Sequence, residues 1–301
     1  MARSDTKSSP ARRSARQPRT WQLEDAFTFV GYVILTLWAI LALFPLYWMI
    51  KNSLEPNQLL SIWPPRILPN WNKLTLDNYL ALLQRFPLPR WFFNSILVAV
   101  TRTAGAVFFG SLSGYAFAKL RFFGRETIFW TLMAVLMLPS FILIIPQFQI
   151  IQALGIYDTF WALILPGFSG GVWSMFLMRQ FMRTLPTDLI ESARVDGAGE
   201  FTIFWRVIAP LAKPGMAVLA IFQFIGNWNS FVWPLIATSD KFMRTLPVGL
   251  SLLTSPKDTG QVVPVGEIMA GATIAAIPMI IVFLFFQRYF LRGITIGAVK
   301  G

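Results

Sequence analysis

Residues 191–201 read ESARVDGAGEF and decide how the rest of the chain is to be read. Glu191, Arg194, Asp196 and Glu200 fall within eleven positions, in a chain of which 55% is hydrophobic and only 13% charged. The run is too polar to cross a bilayer. It is followed at once by FTIFWRVI (201–208), which is too apolar for a plain loop. Asp188 is suited to cap a helix, with Glu191 three residues on completing a capping box. That helix is expected to reach about Asp196, and Gly197 suits the left-handed position that ends a helix. Ala198-Gly199-Glu200 makes a turn. Phe201, Phe204, Trp205 and Ile208 then recur at helical spacing until Pro210 and Pro214 stop the pattern. The expectation is two short helices at a bend. Such an elbow suits either insertion into a cleft of a soluble partner or an amphipathic hairpin on a membrane surface.

Outward from the elbow the chain is oily. Mean hydropathy is +0.57. Soluble domains are about a quarter charged, so composition indicates a membrane protein. The net charge of +12 does not indicate a nucleic-acid binder, because the basic residues lie between apolar runs rather than on a soluble domain. Membrane topology and anionic lipid account for it better. Absence of cysteine removes disulfides, thiolate metal sites and cysteine catalysis. Absence of histidine removes the commonest acid–base group and metal ligand.

Apolar runs long enough to span, at roughly 20 residues per crossing, fall at about 27–50, 93–118, 127–147, 159–178, 216–236 and 266–290. The reading is therefore an all-α polytopic membrane protein with six transmembrane helices. Residues 1–26 carry Arg3, Lys7, Arg12, Arg13, Arg16 and Arg19 among Ser and Pro, and read as a disordered basic tail. The run after Arg12-Arg13 is too long for an export signal and lacks a small-residue cleavage pattern. Basic residues decide orientation. KLRFFGRE (119–126) is basic, whereas FQIIQALGIYD (148–158) has no Lys or Arg. Both termini and the elbow (184–214) are accordingly assigned to the cytoplasm.

Pro45, Pro139, Pro146, Pro166, Pro234 and Pro278 interrupt the runs, as simple kinks or as the broken helices of a transport path. In 51–92, LTLDNYLALLQRF (74–86) is expected to be a helix capped near Thr75, with Leu76, Tyr79, Leu80 and Leu83 on one face. Trp63, Trp71 and Trp91 are assigned to the membrane interface. Arg102 is the one charge deep in a span, either functional or snorkelling outward. In the fifth span Gln223, Asn227 and Ser230 share a helical face, with Asn229 beside them. Amides among Trp228, Phe231 and Trp233 suit a hydroxyl-rich solute, and equally suit bonds to a neighbouring span. GSLSG (110–114) reads as a close-packing face. There is no G-x-x-x-x-G-K-[S/T] and no Gly-x-Ser-x-Gly. A chain without these motifs, His or Cys is not read as an enzyme.

The elbow resembles the cytoplasmic "EAA" loop of binding-protein-dependent ABC importer permeases: Glu-Ala-Ala, three residues, Gly, nine residues, Ile-x-Leu-Pro. Here the positions hold Glu191-Ser192-Ala193, Gly197 and Val207-x-Ala209-Pro210. NSILVAV (94–100), SGYAFAKLRFFGR (113–125), WNSFVWPL (228–235) and the ending QRYFLRGITIGAVKG (287–301) are similar to the maltose-type carbohydrate family, in the subunit that ends in Val-Lys-Gly. The resemblance implies a type I importer permease fold and a sugar-translocating subunit in a bacterial or archaeal cytoplasmic membrane. It implies a second permease subunit, two cytoplasmic ATPase subunits that bind the ATP, and an extracytoplasmic solute-binding protein. It places Glu191, Ala193, Asp196, Gly197, Ala198 and Pro210 at the ATPase contact, and Gly297, Val299, Lys300 and Gly301 on a tail reaching toward the ATPase pair. A single-chain secondary carrier is the alternative that the prolines and the polar fifth span leave open. The transported solute is not legible.

Overall fold

The computed structural model describes residues 21–255, 260 and 262–298, with backbone alone at 21–26, 140 and 287–298. Among the described residues every regular element is helical. The chain divides into two units, residues 1–48 and 49–301. The first contains most of α1 (Trp21–Ser53), a helix with Pro45 inside it. Residues 21–26, expected as the end of a tail, are helical. QLEDA combines good helix formers with acids at a helix start, where negative charge is favoured.

Four described helices are long and apolar enough to cross a membrane: Phe27–Ser53, Leu88–Lys119, Glu200–Trp228 and Val265–Phe286. Two bent pairs, Arg125–Leu136 with Phe141–Ala153 and Phe160–Gly167 with Gly171–Arg183, bring the number to six if each pair is one span. The expected third and fourth spans are thus not single helices. α5 (Arg125–Leu136) ends before Pro139, a 3-10 turn follows, and α6 (Ile144–Ala153) resumes. α7 (Phe160–Ile164) gives way at Leu165–Gly167, before α8 (Gly171–Arg183). Window-averaged hydropathy passes over such short breaks, although Pro139 and Pro166, which interrupt these runs in the sequence, lie at them.

Between α1 and the next long helix lie α2 (Asn57–Leu60) and α3 (Asp77–Arg85). The long helix itself, α4 (Leu88–Lys119), is the centre of the second unit. It packs along α8 through a stripe of small residues. A Cβ on Gly110 would collide with Ser174, and one on Gly114 with Met178, so only glycine lets the backbones approach this closely. The packing role of GSLSG follows.

α9 (Asp188–Val195) and α10 (Glu200–Ile203) form the elbow. α10 runs through a π-helical turn (Phe204–Ile208) into α11 (Ala209–Trp228). Pro210 and Pro214 therefore do not end the second arm, which is continuous with the span. A proline removes one donor and crowds the carbonyl four residues back. The π turn, closed by Ala209 N–H donating to the Phe204 carbonyl, reshapes the ladder just ahead of Pro210. α11 stops at Trp228, and α12 (Val232–Ala237) follows a break at 229–231. α13 (Leu246–Leu252) and α14 (Val265–Ala298) are the last described helices.

Three buried clusters organise the second unit. One joins the elbow to the ends of α4 and α8: Ile190, Ile203 and Phe204 pack with Tyr115, Met178 and Met182. A second, around Trp91, Trp228 and Leu246, lies at the opposite end of α4. A third gathers Val98, Leu163 and Ala237.

Candidate functional site

The elbow is built by a helix end. Thr187, not Asp188, occupies the N-cap of α9, and its side chain caps nothing. Its hydroxyl instead accepts a hydrogen bond from Lys119 Nζ at 3.2 Å, while Lys119 also donates to the Leu185 carbonyl at 2.6 Å. The capping box is therefore absent. Asp188 and Glu191 lie in the first turn, where a negative charge meets the positive end of the helix dipole.

At the other end Ala198 N–H donates to the Ala193 carbonyl and Gly197 N–H to the Arg194 carbonyl, both at 3.0 Å. These are the paired bonds of a Schellman ending, with Gly197 at φ +82°. A non-glycine residue there costs about 1–2 kcal/mol. Nothing lies within 4 Å of the space a Gly197 Cβ would occupy, so the constraint is conformational rather than steric. Ala193 and Ala198 pack against the cluster shared with α4 and α8. The two alanine positions thus face inward, while Glu191, Asp196 and Gly197 face out. Leu189, Val195 (88% exposed) and Phe201 add apolar surface to that outer face. Pro210, nineteen positions on from Glu191, is exposed at the start of α11.

Sequence reasoning missed the tie that sets the angle of the elbow. Arg194 Nε donates to Glu200 Oε1 at 2.8 Å, across the bend. The Tyr115 hydroxyl of α4 donates to Glu200 Oε2 at 2.7 Å. Glu200 therefore joins both arms to the central helix. The Arg194 hydrogen bond holds the Glu200 carboxyl below its ordinary range, with Tyr115 contributing in the same direction against partial burial. The signal in the sequence was only an Arg and a Glu six residues apart across a glycine. Nothing local named Tyr115.

The expected path residues divide. Gln223 donates to Ser174 Oγ at 2.7 Å and more weakly to the Gly170 carbonyl at 3.4 Å. Asn227 donates to Thr103 Oγ1 at 3.4 Å. Both side chains therefore bond neighbouring helices. Asn229 and Ser230 lie beyond the helix end, so the expected common face of Gln223, Asn227 and Ser230 is not formed. Trp233 donates to the Ala162 carbonyl and Trp228 to the Ala275 carbonyl, which makes them structural. Arg102 is partly buried inside the described fold. Its guanidinium packs where a Gly167 side chain would sit, and its buried Nε has no hydrogen-bond partner. Gly297 is in the last turns of α14. Val299, Lys300 and Gly301 lie outside the described residues. Among the described residues no three His, Cys, Asp or Glu side chains converge as metal ligands.

The far end of α4 is closed by polar contacts that the sequence did not announce. Asn94 Nδ2 donates to the Phe242 and Arg244 carbonyls at 2.7 and 2.9 Å. Ser95 Oγ accepts from Leu246 N–H, and Trp91 Nε1 donates to the Lys241 carbonyl, both at 2.7 Å. Trp91 is therefore buried within the chain, while Trp63 and Trp71 are exposed. The buried face of α3 is Asn78 and Leu82, so the expected apolar face, with Leu76, Leu80 and Leu83, points outward. Asn78 bonds the Ser53 and Glu55 carbonyls and Asn57, while Asn57 accepts from Gly266 N–H. Lys51 pairs with Glu55 at 2.8 Å, and Arg85 with Glu267 at 3.1 Å.

Residues 106–296 match the family described as binding-protein-dependent transport system inner membrane component. The chain belongs to this family. The match contains the whole elbow. The arabinooligosaccharides transport system permease protein AraQ of Bacillus subtilis is 38% identical over 264 residues, covering 87% of this chain and 92% of that protein. The sn-glycerol-3-phosphate transport system permease protein UgpE of Yersinia enterocolitica is 34% identical over 269 residues, covering 88% and 94%. Among solved structures, a chain of a bacterial ABC transporter involved in import of the acidic polysaccharide alginate superposes with TM-score 0.78. It is 25% identical and covers 91% of this chain and 100% of that one. The all-α fold with broken apolar helices is thus the fold of an ABC importer permease, and the chain is a multi-pass inner-membrane transport component.

Proposed function

We propose that this chain is one of two translocation subunits of an ATP-driven saccharide importer. Six spans cross a bacterial inner membrane with both termini cytoplasmic, each bent pair counting as one span. A second permease subunit completes the path. Two separate ATPase subunits bind ATP, which this chain has no P-loop to hold, and an external binding protein delivers the solute. One observation carries the reading: an elbow whose exposed face holds Glu191, Asp196 and Gly197, and whose inner face shares one core with the ends of α4 and α8. Displacement of the elbow by a nucleotide-driven partner would be transmitted to those helices as packed side chains, not through a flexible loop. Exposed acids and apolar groups around a positive-φ glycine suit a partner cleft better than a lipid surface, where Glu191 and Asp196 would meet anionic head groups.

Saccharide chemistry is supported by the curated relative that imports arabinooligosaccharides and by the alginate transporter. In this reading Gln223 and Asn227, bonded to Ser174 and Thr103, exchange those bonds for solute hydroxyls. Asn229 and Ser230, at the break that ends α11, are offered as further path residues, though not on the helical face of Gln223 and Asn227. The test is Gly197→Val in the assembled importer. Uptake should fall at least tenfold while permease and ATPase subunits still co-purify. Unchanged uptake would overturn the coupling role of the elbow.

A further inference from the structure

At the end of α4 nearest the elbow, between α5 and α8, lies a pocket of about 410 Å³. Three guanidinium groups line it, from Arg125, Arg179 and Arg183, against one carboxylate, Glu126. That carboxylate is already engaged: Arg125 donates to Glu126 Oε1 at 2.9 Å. Arg179 is nearly buried. It stacks 3.6 Å from the centre of the Phe129 ring, donates Nε to the Phe117 carbonyl at 3.3 Å, and lies 3.8 Å from Glu126. Arg183, one turn further along α8, is exposed and makes no hydrogen bond among the described residues. The pocket therefore holds more positive charge than it neutralises, and like charges at this spacing repel unless an anion joins them. Its other wall is apolar, with Trp130 and Met133 leading along α5 into the apolar run. Basic groups at one end and an apolar wall at the other match an amphiphile rather than a free ion. The basic turn 119–126 sits where an apolar run meets water, which is the level of lipid head groups.

We propose that this pocket binds the phosphate head group of an anionic phospholipid, with an acyl chain laid along Trp130 and Met133. Arg183 meets the phosphate directly, and Arg125, whose guanidinium donates to Glu126 and to the Leu120 carbonyl, supplies charge beside it. Arg179, held by Phe129 and Phe117, supplies fixed charge behind them. The proposal needs the chain to be in a membrane and does not depend on which solute it transports.

The test uses the purified importer in detergent. Native mass spectrometry counts retained dioleoylphosphatidylglycerol against dioleoylphosphatidylcholine for wild type, Arg183→Gln and the double variant Arg125→Gln/Arg183→Gln. Arg66→Gln, on the loop before α3, is the control. Wild type should prefer the anionic lipid. Each arginine removed should weaken that binding about fivefold, and the zwitterionic lipid and the control should be unaffected. Equal retention of the two lipids by wild type, or equal anionic-lipid retention by wild type and double variant, overturns the proposal. Displacement of the lipid by millimolar inorganic phosphate overturns it in favour of a free-anion site. Variants that keep the lipid but lose the ATPase subunits overturn it in favour of an acidic protein surface.

Discussion

The two ends of α4 treat polar residues in opposite ways. Near the elbow, Glu191 and Asp196 are exposed, and the ionic tie between Arg194 and Glu200 is only half-buried. At the other end Asn94 (0% exposed), Glu55 (1%) and Glu267 (2%) are buried; Glu55 pairs with Lys51 one turn away, and Asn94 Nδ2 and Glu267 meet partners from segments far apart in the chain. The difference separates a surface kept open for another molecule from a knot that fixes helices to one another. A buried charge or amide must find its partners inside the chain, whereas an exposed one is solvated until a partner arrives. Substitutions at the knot should therefore cost stability, and substitutions at the elbow should cost coupling.

The sharpest way to break this contrast is Glu55→Gln. It leaves the buried Lys51 ammonium without its carboxylate, a loss of roughly 3–5 kcal/mol. A large fall in the melting temperature of the solubilised complex is expected, with much of it restored by Lys51→Met in the same chain. A melting temperature equal to wild type would refute the knot. Next, Asn94→Ala strands the Phe242 and Arg244 carbonyls and should cost about 2–3 kcal/mol, read as earlier thermal aggregation. Gly197→Val imposes about 1–2 kcal/mol of local strain. Its melting curve should barely move while uptake collapses, and Gly197→Asn, which tolerates the left-handed region, should retain more uptake. Tyr115→Phe removes one charge-assisted bond, about 1–2 kcal/mol. Solute transported per ATP hydrolysed should fall, with assembly intact; an unchanged ratio would free Glu200 from any part in setting the elbow. The smallest effect on stability belongs to Asn227→Leu, under about 1 kcal/mol because its bond to Thr103 is long. A fall in uptake beyond the fall in assembly would keep Asn227 in the path.

Legibility in the sequence followed the range of the forces at work. The elbow could be read because its determinants are local: a glycine that ends one helix, and apolar spacing that begins the next. The membrane class could be read from composition, since a bilayer selects whole runs and not particular residues. The breaks at 137–143 and 229–231 do not stop the apolar runs, although Pro139 marks the first and Asn229-Ser230 the second. The expected capping box at Asp188 is not formed, and the Thr187 hydroxyl at the N-cap position is taken by Lys119, 68 positions away, which no local pattern shows. The knot was beyond reach for the same reason: Asn57 meets Gly266 across 209 positions, and neither carries a motif. Tyr115 and Glu200 are likewise joined only by the fold.

The π turn at Phe204–Ile208 has a consequence for phase. A π turn holds more residues per revolution than an α turn, so it sets the angular offset between the arm that meets the partner and the span beyond. Because the turn absorbs one extra residue, deleting one residue within 204–208 would let the helix relax to α geometry with the span beyond it nearly in phase, and Gln223 would still face Ser174. The same deletion in the regular α-helix at 216–222 would rotate every side chain beyond it by about 100° relative to the elbow. In this sense the turn is slack in the chain, the one place between elbow and span where a residue can be lost without changing which side of the span a push will move.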